Sequence, residues 1–249
     1  MTICRLHWQC FQGHLCPFAW AFLSVFSVHT QINTLNIILP VGISFYTFQS
    51  ISYILDIYRS QLSPTKDAVA FMSYVAFFPQ LVAGPIERST HLLPQFFERK
   101  NFNYANSVAG LRLILWGFFK KSVIADNFGI LADTIFKPEN HYSAATTFVG
   151  IFLFAFQIYC DFSGYSDIAK GVAKTLGFDL MSNFKTPYLS NSFKEFWHRW
   201  HISLSTWFRD YVYLPLGGSR NSFVRTQINL LATFVLSGLW HGSKITFII

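Results

Sequence analysis

Charged side chains are scarce in this chain. Asp, Glu, Lys and Arg make up 12% of its 249 residues, about half the roughly 25% of an average soluble domain. With 52% hydrophobic and 19% aromatic residues gathered into runs, that scarcity excludes an ordinary water-soluble fold and indicates a polytopic membrane protein. Acidic residues are the scarcer sign, 12 against 19 Lys and Arg, for a net charge of +7. No basic stripe or reading module accompanies the excess, so nucleic acid is excluded as a partner. The basic residues fall between apolar runs, as at Arg99-Lys100 and Lys120-Lys121, where anionic headgroups and the positive-inside bias account for them. Cysteine is sparse too. Cys4, Cys10 and Cys16, with His7 and His14 interleaved, lack the paired spacing of a zinc site, and Cys160 stands far off. No metal site is expected. No cleavable signal peptide is expected in the first apolar stretch, because His14 and Pro17 interrupt it. Neither internal repeats nor low-complexity segments occur.

What is present is a series of apolar runs. A bilayer span needs about 17–25 such residues, and four runs qualify: 35–58, 68–86, about 144–160, and 227–249. A shorter run, 15–28, reads as a truncated or half-inserted helix. Segments 106–125, 163–177 and 191–213 mix aromatics with charge. They are expected at the interface or buried against protein, since polar groups are not tolerated facing lipid. The expected fold class is all-α: a transmembrane helical bundle with re-entrant or interfacial helices enclosing something polar.

His241 lies in an apolar stretch, 230–242, otherwise able to enter a bilayer. An ionisable group there is a functional-site hypothesis by default. Burial would keep its ring neutral near pH 7, the form a general base needs. Gly238 and Gly242 leave room beside it for a substrate or a backbone. No serine, cysteine or acid completes a local triad, so a base acting directly on a bound hydroxyl fits better than a covalent intermediate. The bland alternative is a histidine bonded to a neighbouring helix.

Between 193 and 211, apolar residues at 193, 197, 200, 204, 207 and 211 step by three and four, predicting one helix. Glu195 and Arg199 form an i, i+4 pair on its other side. His201 borders the apolar stripe, whereas His198 lies toward the charged face and reads as an interfacial residue. In Asp161-Phe162-Ser163-Gly164-Tyr165-Ser166-Asp167 the carboxylates are expected to cap a following helix, with a paired-carboxylate or metal site as the alternative. Pro79, Gly84 and Pro85 should break a helix at membrane depth, and Leu216-Gly217-Gly218-Ser219-Arg220 reads as a tight turn.

The runs LPVGISFYTFQSISYILDIYR, FFPQLVAGPI, GFFKKSVIAD, DFSGYSDIAKG, FWHRWHISLSTWFRDYVYLPLGG and LSGLWHG resemble the membrane-bound O-acyltransferase family. The likeness is to its bacterial alginate O-acetylase branch, and further to the D-alanyl transfer proteins of teichoic acid modification. It extends over about 35–243. Residues 1–34 lie outside it as an atypical or truncated start, and 35–249 read as a partial domain of the family, so the chain is taken as a fragment.

The resemblance implies a tunnelled helical bundle in the bacterial inner membrane, crossing it several times. It makes the histidine of the WHG motif, His241, catalytic, with the histidine of RWHISLS, His201, as the second catalytic residue. Trp240, Trp200, Arg209 and Asp210 are the expected substrate-binding neighbours. No bound cofactor is implied; the donor would be an acyl thioester, acetyl-coenzyme A or a phosphopantetheine carrier. Implied partners are membrane lipids, extracytoplasmic acetyl-relay or transferase proteins, and an acyl carrier protein where that is the donor. The expected function is O-acetylation of a cell-surface or extracellular polysaccharide. The alternative is a non-catalytic scaffold or transport subunit, or an inactive remnant of such an enzyme.

Overall fold

A computed structural model describes residues 42–81, 84–137, 139–140 and 142–241. The expected short helix at 15–28, the first part of the 35–58 run, Cys4, Cys10, Cys16, and Gly242 with the residues after it lie outside these. Among the described residues all regular structure is helical, as an all-α chain requires.

Helix α1 spans Ile43–Tyr58, within the run expected at 35–58. The 68–86 run does not form one span. It gives α2 (Ala68–Val75) and a single turn, α3 (Phe78–Leu81), and residues 84–88 are non-helical. Pro79 interrupts the run after Val75, since it has no N–H to give the carbonyl four residues back, and Pro85 lies in the non-helical residues that follow. Two short turns follow, α4 (Ser89–Leu92) and a 3₁₀ turn at Leu93–Phe96. Around them a core of Ala70, Tyr74, Phe77, Leu92, Leu93, Ala173 and Leu180 closes, flanked by Phe96 and Phe178.

Helix α5 (Tyr104–Phe118) starts at Asn103, whose side chain accepts from the Asn106 N–H. It runs into a π-helical stretch, Phe119–Ala125, and then α6 (Asp126–Ile135). Helix α7 (Ala144–Thr175) has 32 residues, ~48 Å at 1.5 Å per residue, against about 30 Å of hydrocarbon. Among the described residues it is the one helix long and apolar enough to cross a membrane. Its N-cap is Ser143, whose hydroxyl accepts from the Thr146 N–H. The expected cap at 161–167 is thus corrected: Asp161 and Asp167 sit mid-helix, and α7 carries on through them.

Helices α5 and α7 run antiparallel and nearly touch. A Cβ on Gly117 would stand 2.6 Å from the Gly164 carbonyl, and one on Gly110 would stand 2.6 Å from that of Gly171. Such close backbone approach through small residues is how helices associate where no hydrophobic force drives them together. Two charged groups meet beside this contact. Lys120 Nζ lies 2.7 Å from Asp167 and donates to Ser163 Oγ at 3.0 Å. Lys121 Nζ lies 2.6 Å from Asp161 and 2.5 Å from Asp126. Consecutive residues on an α-helix point 100° apart, and the wider π turn brings both lysines toward α7.

The remaining elements are a 3₁₀ turn at Pro187–Leu189, α8 (Phe193–Arg199), α9 (Ile202–Phe208), a π turn at Arg209–Tyr213 and α10 (Phe223–His241). The expected 193–211 helix is therefore broken between α8 and α9. The 216–220 turn forms as read, with Gly217 and Gly218 both at positive φ; its Gly218 carbonyl accepts from the buried Asn229 side chain at 3.0 Å.

The contacts divide the chain into two compact units, one of Ser44–Thr206 and one comprising the residues from Trp207 on together with Ile43. In the first unit polarity is inverted relative to a soluble protein. Gln49, Ser52, Gln80, Glu87, Ser89 and Ser203 are fully buried, whereas Leu111, Leu115, Phe118, Phe148, Ile151 and Phe152 are exposed. Buried polar groups inside an apolar exterior are what a lipid-facing bundle demands.

Candidate active site

The break between α8 and α9 carries the site. Helix α8 is capped by the Ser192 hydroxyl, which accepts from the Glu195 N–H at 3.1 Å, and Glu195 returns a carboxylate oxygen to the Asn191 N–H at 2.8 Å. Glu195 also pairs with Arg199 at 2.5 Å, the i, i+4 pair read from the sequence. After Arg199 the backbone turns away: Trp200 is extended, with φ −103° and ψ 127°, and His201 is left-handed, with φ 41°. The left-handed region costs a non-glycine residue roughly 1–3 kcal/mol and persists only where the surroundings impose it.

Those surroundings are an upstream loop. Lys185 N–H donates to the Arg199 carbonyl at 3.0 Å, and Ile202 N–H donates to the Asn183 carbonyl at 2.9 Å. The Asn183 side chain reaches both ways. Its Oδ1 accepts from the Ser203 hydroxyl at 2.6 Å and from the Ser203 N–H at 3.3 Å, and its Nδ2 donates to Ser166 on α7 at 3.2 Å. Ser203 Oγ in turn accepts from the Ile86 N–H at 3.0 Å. His201 is thus fixed by bonds on either side, not by the helical periodicity that made one helix of 193–211.

The His201 side chain is buried, 5% exposed, and meets the edge of Phe162 on α7 with ring centroids 4.6 Å apart. Trp200 is enclosed by aromatics. Phe184 meets it edge-on at 5.1 Å, Phe196 stacks on it at 5.5 Å, and Tyr188 lies at 6.0 Å. So the structure places Trp200 and His201 in one aromatic cluster, linked through Phe162 and Phe184. His198 is exposed on α8, as expected of an interfacial residue.

The other four expected residues belong to the second unit. Arg209 and Asp210 pair with each other at 2.8 Å on the π turn after α9. His241 ends α10, half-buried, with the Trp240 ring edge-on to it at 4.6 Å. Full burial of this imidazole was the expectation, and it is half-buried among the described residues.

Several polar residues at the site escape a reading by residue type. Asn183, Ser203 and Glu87 are buried and bonded into it. Ser203 stood inside the quoted RWHISLS run, and Glu87 follows Pro85-Ile86, where a carboxylate in so uncharged a chain was a signal. Asn183 gave none, because its role depends on partners 17 and 20 residues away. Among the described residues no group of His, Cys, Asp and Glu side chains converges as a metal-ligand set.

A helical chain with polar groups turned inward, an apolar exterior and a constrained histidine defines a membrane-embedded protein with a buried polar site. The chain belongs to the membrane-bound O-acyltransferase family, whose model matches residues 59–249. It is 47% identical over 214 residues to "Probable alginate O-acetylase" of Pseudomonas syringae pv. tomato, covering 86% of this chain and 41% of that protein. Identity to the peptidoglycan O-acetyltransferase of Helicobacter pylori is 37%, covering 92% and 49%. With the teichoic acid D-alanyltransferase of Bacillus subtilis it is 29%, covering 92% and 60%. The chain spans about half the length of the curated relatives it matches.

Proposed function

We propose that this protein is an O-acyltransferase of the bacterial inner membrane, moving an acetyl group from a thioester to a hydroxyl of a cell-surface or extracellular polysaccharide. Family membership supports the class. The greater identity to proteins named for O-acetylation than to one named for D-alanyl transfer favours acetyl. The single observation that carries the reading is the buried His201 held left-handed by its neighbours: backbone strain kept in place at a polar site is a mark of function.

In the mechanism, neutral His241 accepts the proton of the acceptor hydroxyl as its oxygen attacks the thioester carbonyl. The C–O bond forms, the C–S bond breaks, and the leaving thiolate takes up a proton. Base catalysis of this kind contributes typically 10²–10⁴-fold. His201 orients the acceptor or donates a hydrogen bond to the developing oxyanion. Trp200, Trp240, Arg209 and Asp210 are assigned to substrate binding, with water excluded so that the acyl group is transferred and not hydrolysed. The donor is acetyl-coenzyme A or a phosphopantetheine carrier, and extracytoplasmic relay or transferase proteins receive the acetyl group.

The test is transfer of labelled acetyl from either thioester by the reconstituted chain to a polysaccharide or partner. His241→Ala should lower transfer by about 10²–10⁴-fold while membrane insertion persists. A variant with substantial turnover would remove His241 from the mechanism. Absence of any transfer by the unsubstituted chain would favour the scaffold reading.

A further inference from the structure

Glu87 is a carboxylate with no exposed surface, an arrangement unfavourable unless every lone pair it presents is answered. Its Oε1 accepts from the Met181 N–H at 2.5 Å, and its Oε2 meets His91 Nδ1 at 2.7 Å. The same residue's carbonyl accepts from the Tyr74 hydroxyl at 3.1 Å. Tyr74's own carbonyl accepts from Gln80 Nε2 at 2.9 Å. Glu87 is therefore fixed from both its backbone and its side chain.

The segment it grips is the one that shapes His201. Residues 179–183 are tied down almost at every step. Gln95 exchanges two bonds with the Asp179 backbone, at 2.8 and 3.0 Å. Met181 bonds to Glu87, and Ser182 Oγ accepts from Lys170 at 2.7 Å. Asn183 then receives the N–H groups of Ile202 and Ser203. The residue before Glu87 acts at the other end, where Ile86 N–H donates to Ser203 Oγ. Two successive residues thus hold the hub at both ends, one through a side chain at Met181 and one through the backbone at Ser203. Among these ties the Met181 bond is made by a fully buried side chain, where no water competes for the donor.

We propose that Glu87 is a positioning residue for His201, acting through Met181 and Asn183 to keep the 181–183 loop where it imposes the left-handed turn. The inference rests on the proposed role of His201 for its catalytic consequence, not for its structural one. What the Met181 N–H requires is an acceptor at the right reach. Glu87→Gln keeps an acceptor oxygen there, Glu87→Asp withdraws it by about one methylene, and Glu87→Ala removes it.

The experiment measures amide hydrogen exchange and acetyl transfer on the full reconstituted chain for all three variants. Exchange at Ile202 and Ser203 should accelerate about tenfold in Glu87→Ala and Glu87→Asp, the scale of one lost hydrogen bond. It should stay near the original in Glu87→Gln, and α5 and α7 should remain protected throughout. Transfer should follow the same order through kcat, with KM for the thioester little changed, and Glu87→Gln should restore it. If Glu87→Ala loses protection in α5 and α7 as well, Glu87→Asp decides alone. Ordinary exchange at 202 and 203 in Glu87→Asp, or accelerated exchange in Glu87→Gln, overturns the proposal. If the unsubstituted chain transfers nothing, the proposed function fails while the exchange result still judges Glu87.

Discussion

The first unit contains two buried polar groups built on opposite principles, both leaning on α7. Between the π stretch and α7, Lys120 and Lys121 meet Asp161, Asp167 and Asp126 as full charges. At the α8–α9 break, Asn183, Ser203, Ser166 and the Ile86 N–H meet as neutral groups. The charged group joins two long helices whose backbones already touch, so it fastens regular structure. The neutral group joins loops, and it fixes one backbone conformation that the local sequence would not choose. Charge here secures helix against helix, and directional neutral bonds set the shape of a turn.

Substitutions should separate the two sharply. The largest effect is expected from Lys121→Met, which leaves Asp161 buried without its cation; breaking such a pair costs about 3–5 kcal/mol. Thermal or denaturant unfolding in detergent checks it, and adding Asp161→Asn should recover more than half of the loss. A Lys121→Met protein as stable as the original would show that this charged group fastens nothing.

Asn183→Ala should cost less, about 1–3 kcal/mol for the bonding partners it strands, yet reduce acetyl transfer more than that loss of stability explains. Equal stability with unimpaired transfer would reduce the neutral group to packing.

His201→Asn sharpens the contrast further. Asparagine tolerates the left-handed region, so stability should stay within about 1 kcal/mol of the original, and above that of His201→Ala. Transfer should nonetheless be lost in both. Full transfer by His201→Asn would detach the constrained turn from the chemistry.

The smallest effect is a pH dependence at His91. Its hydrogen bond with Glu87, assisted by the charges of Glu87 and Asp179, raises its pKa above the ordinary 6.5 despite opposing burial. A raised folded-state value means the stabilisation is full below about 6.5 and fades as pH climbs through the higher folded value. Unfolding midpoints should therefore fall across that range in the original protein and change less in His91→Gln. Because the imidazole is nearly half exposed, the difference should be small, and parallel pH profiles would dissociate His91 from Glu87.

What could be read from the sequence follows the same division. The 144–160 run was visible as a span because apolar residues accumulate locally. Its continuation to Thr175 was not, because Asp161 and Asp167 look like cap residues until Lys121 and Lys120, far upstream in the sequence, are placed beside them. The Glu195–Arg199 pair and the exposed His198 were legible, since both depend only on helix periodicity. That periodicity holds on each side of Trp200-His201, and so it hid the break between them. The break is imposed by Asn183, a partner outside any window of local pattern. His201 was singled out by its motif, not by residue type, and the constraint on it was not legible, nor were Glu87 and Ser203 as members of the site.

The glycine contact between α5 and α7 has an electrostatic consequence. Gly117 precedes Lys120 and Lys121 by three and four residues, and Gly164 lies three residues from both Asp161 and Asp167. The ammonium–carboxylate distances are thereby set by how closely two hydrogen atoms allow the main chains to come. A single methyl group at 117 or 164, itself uncharged, would wedge the helices apart and lengthen both ion pairs at once.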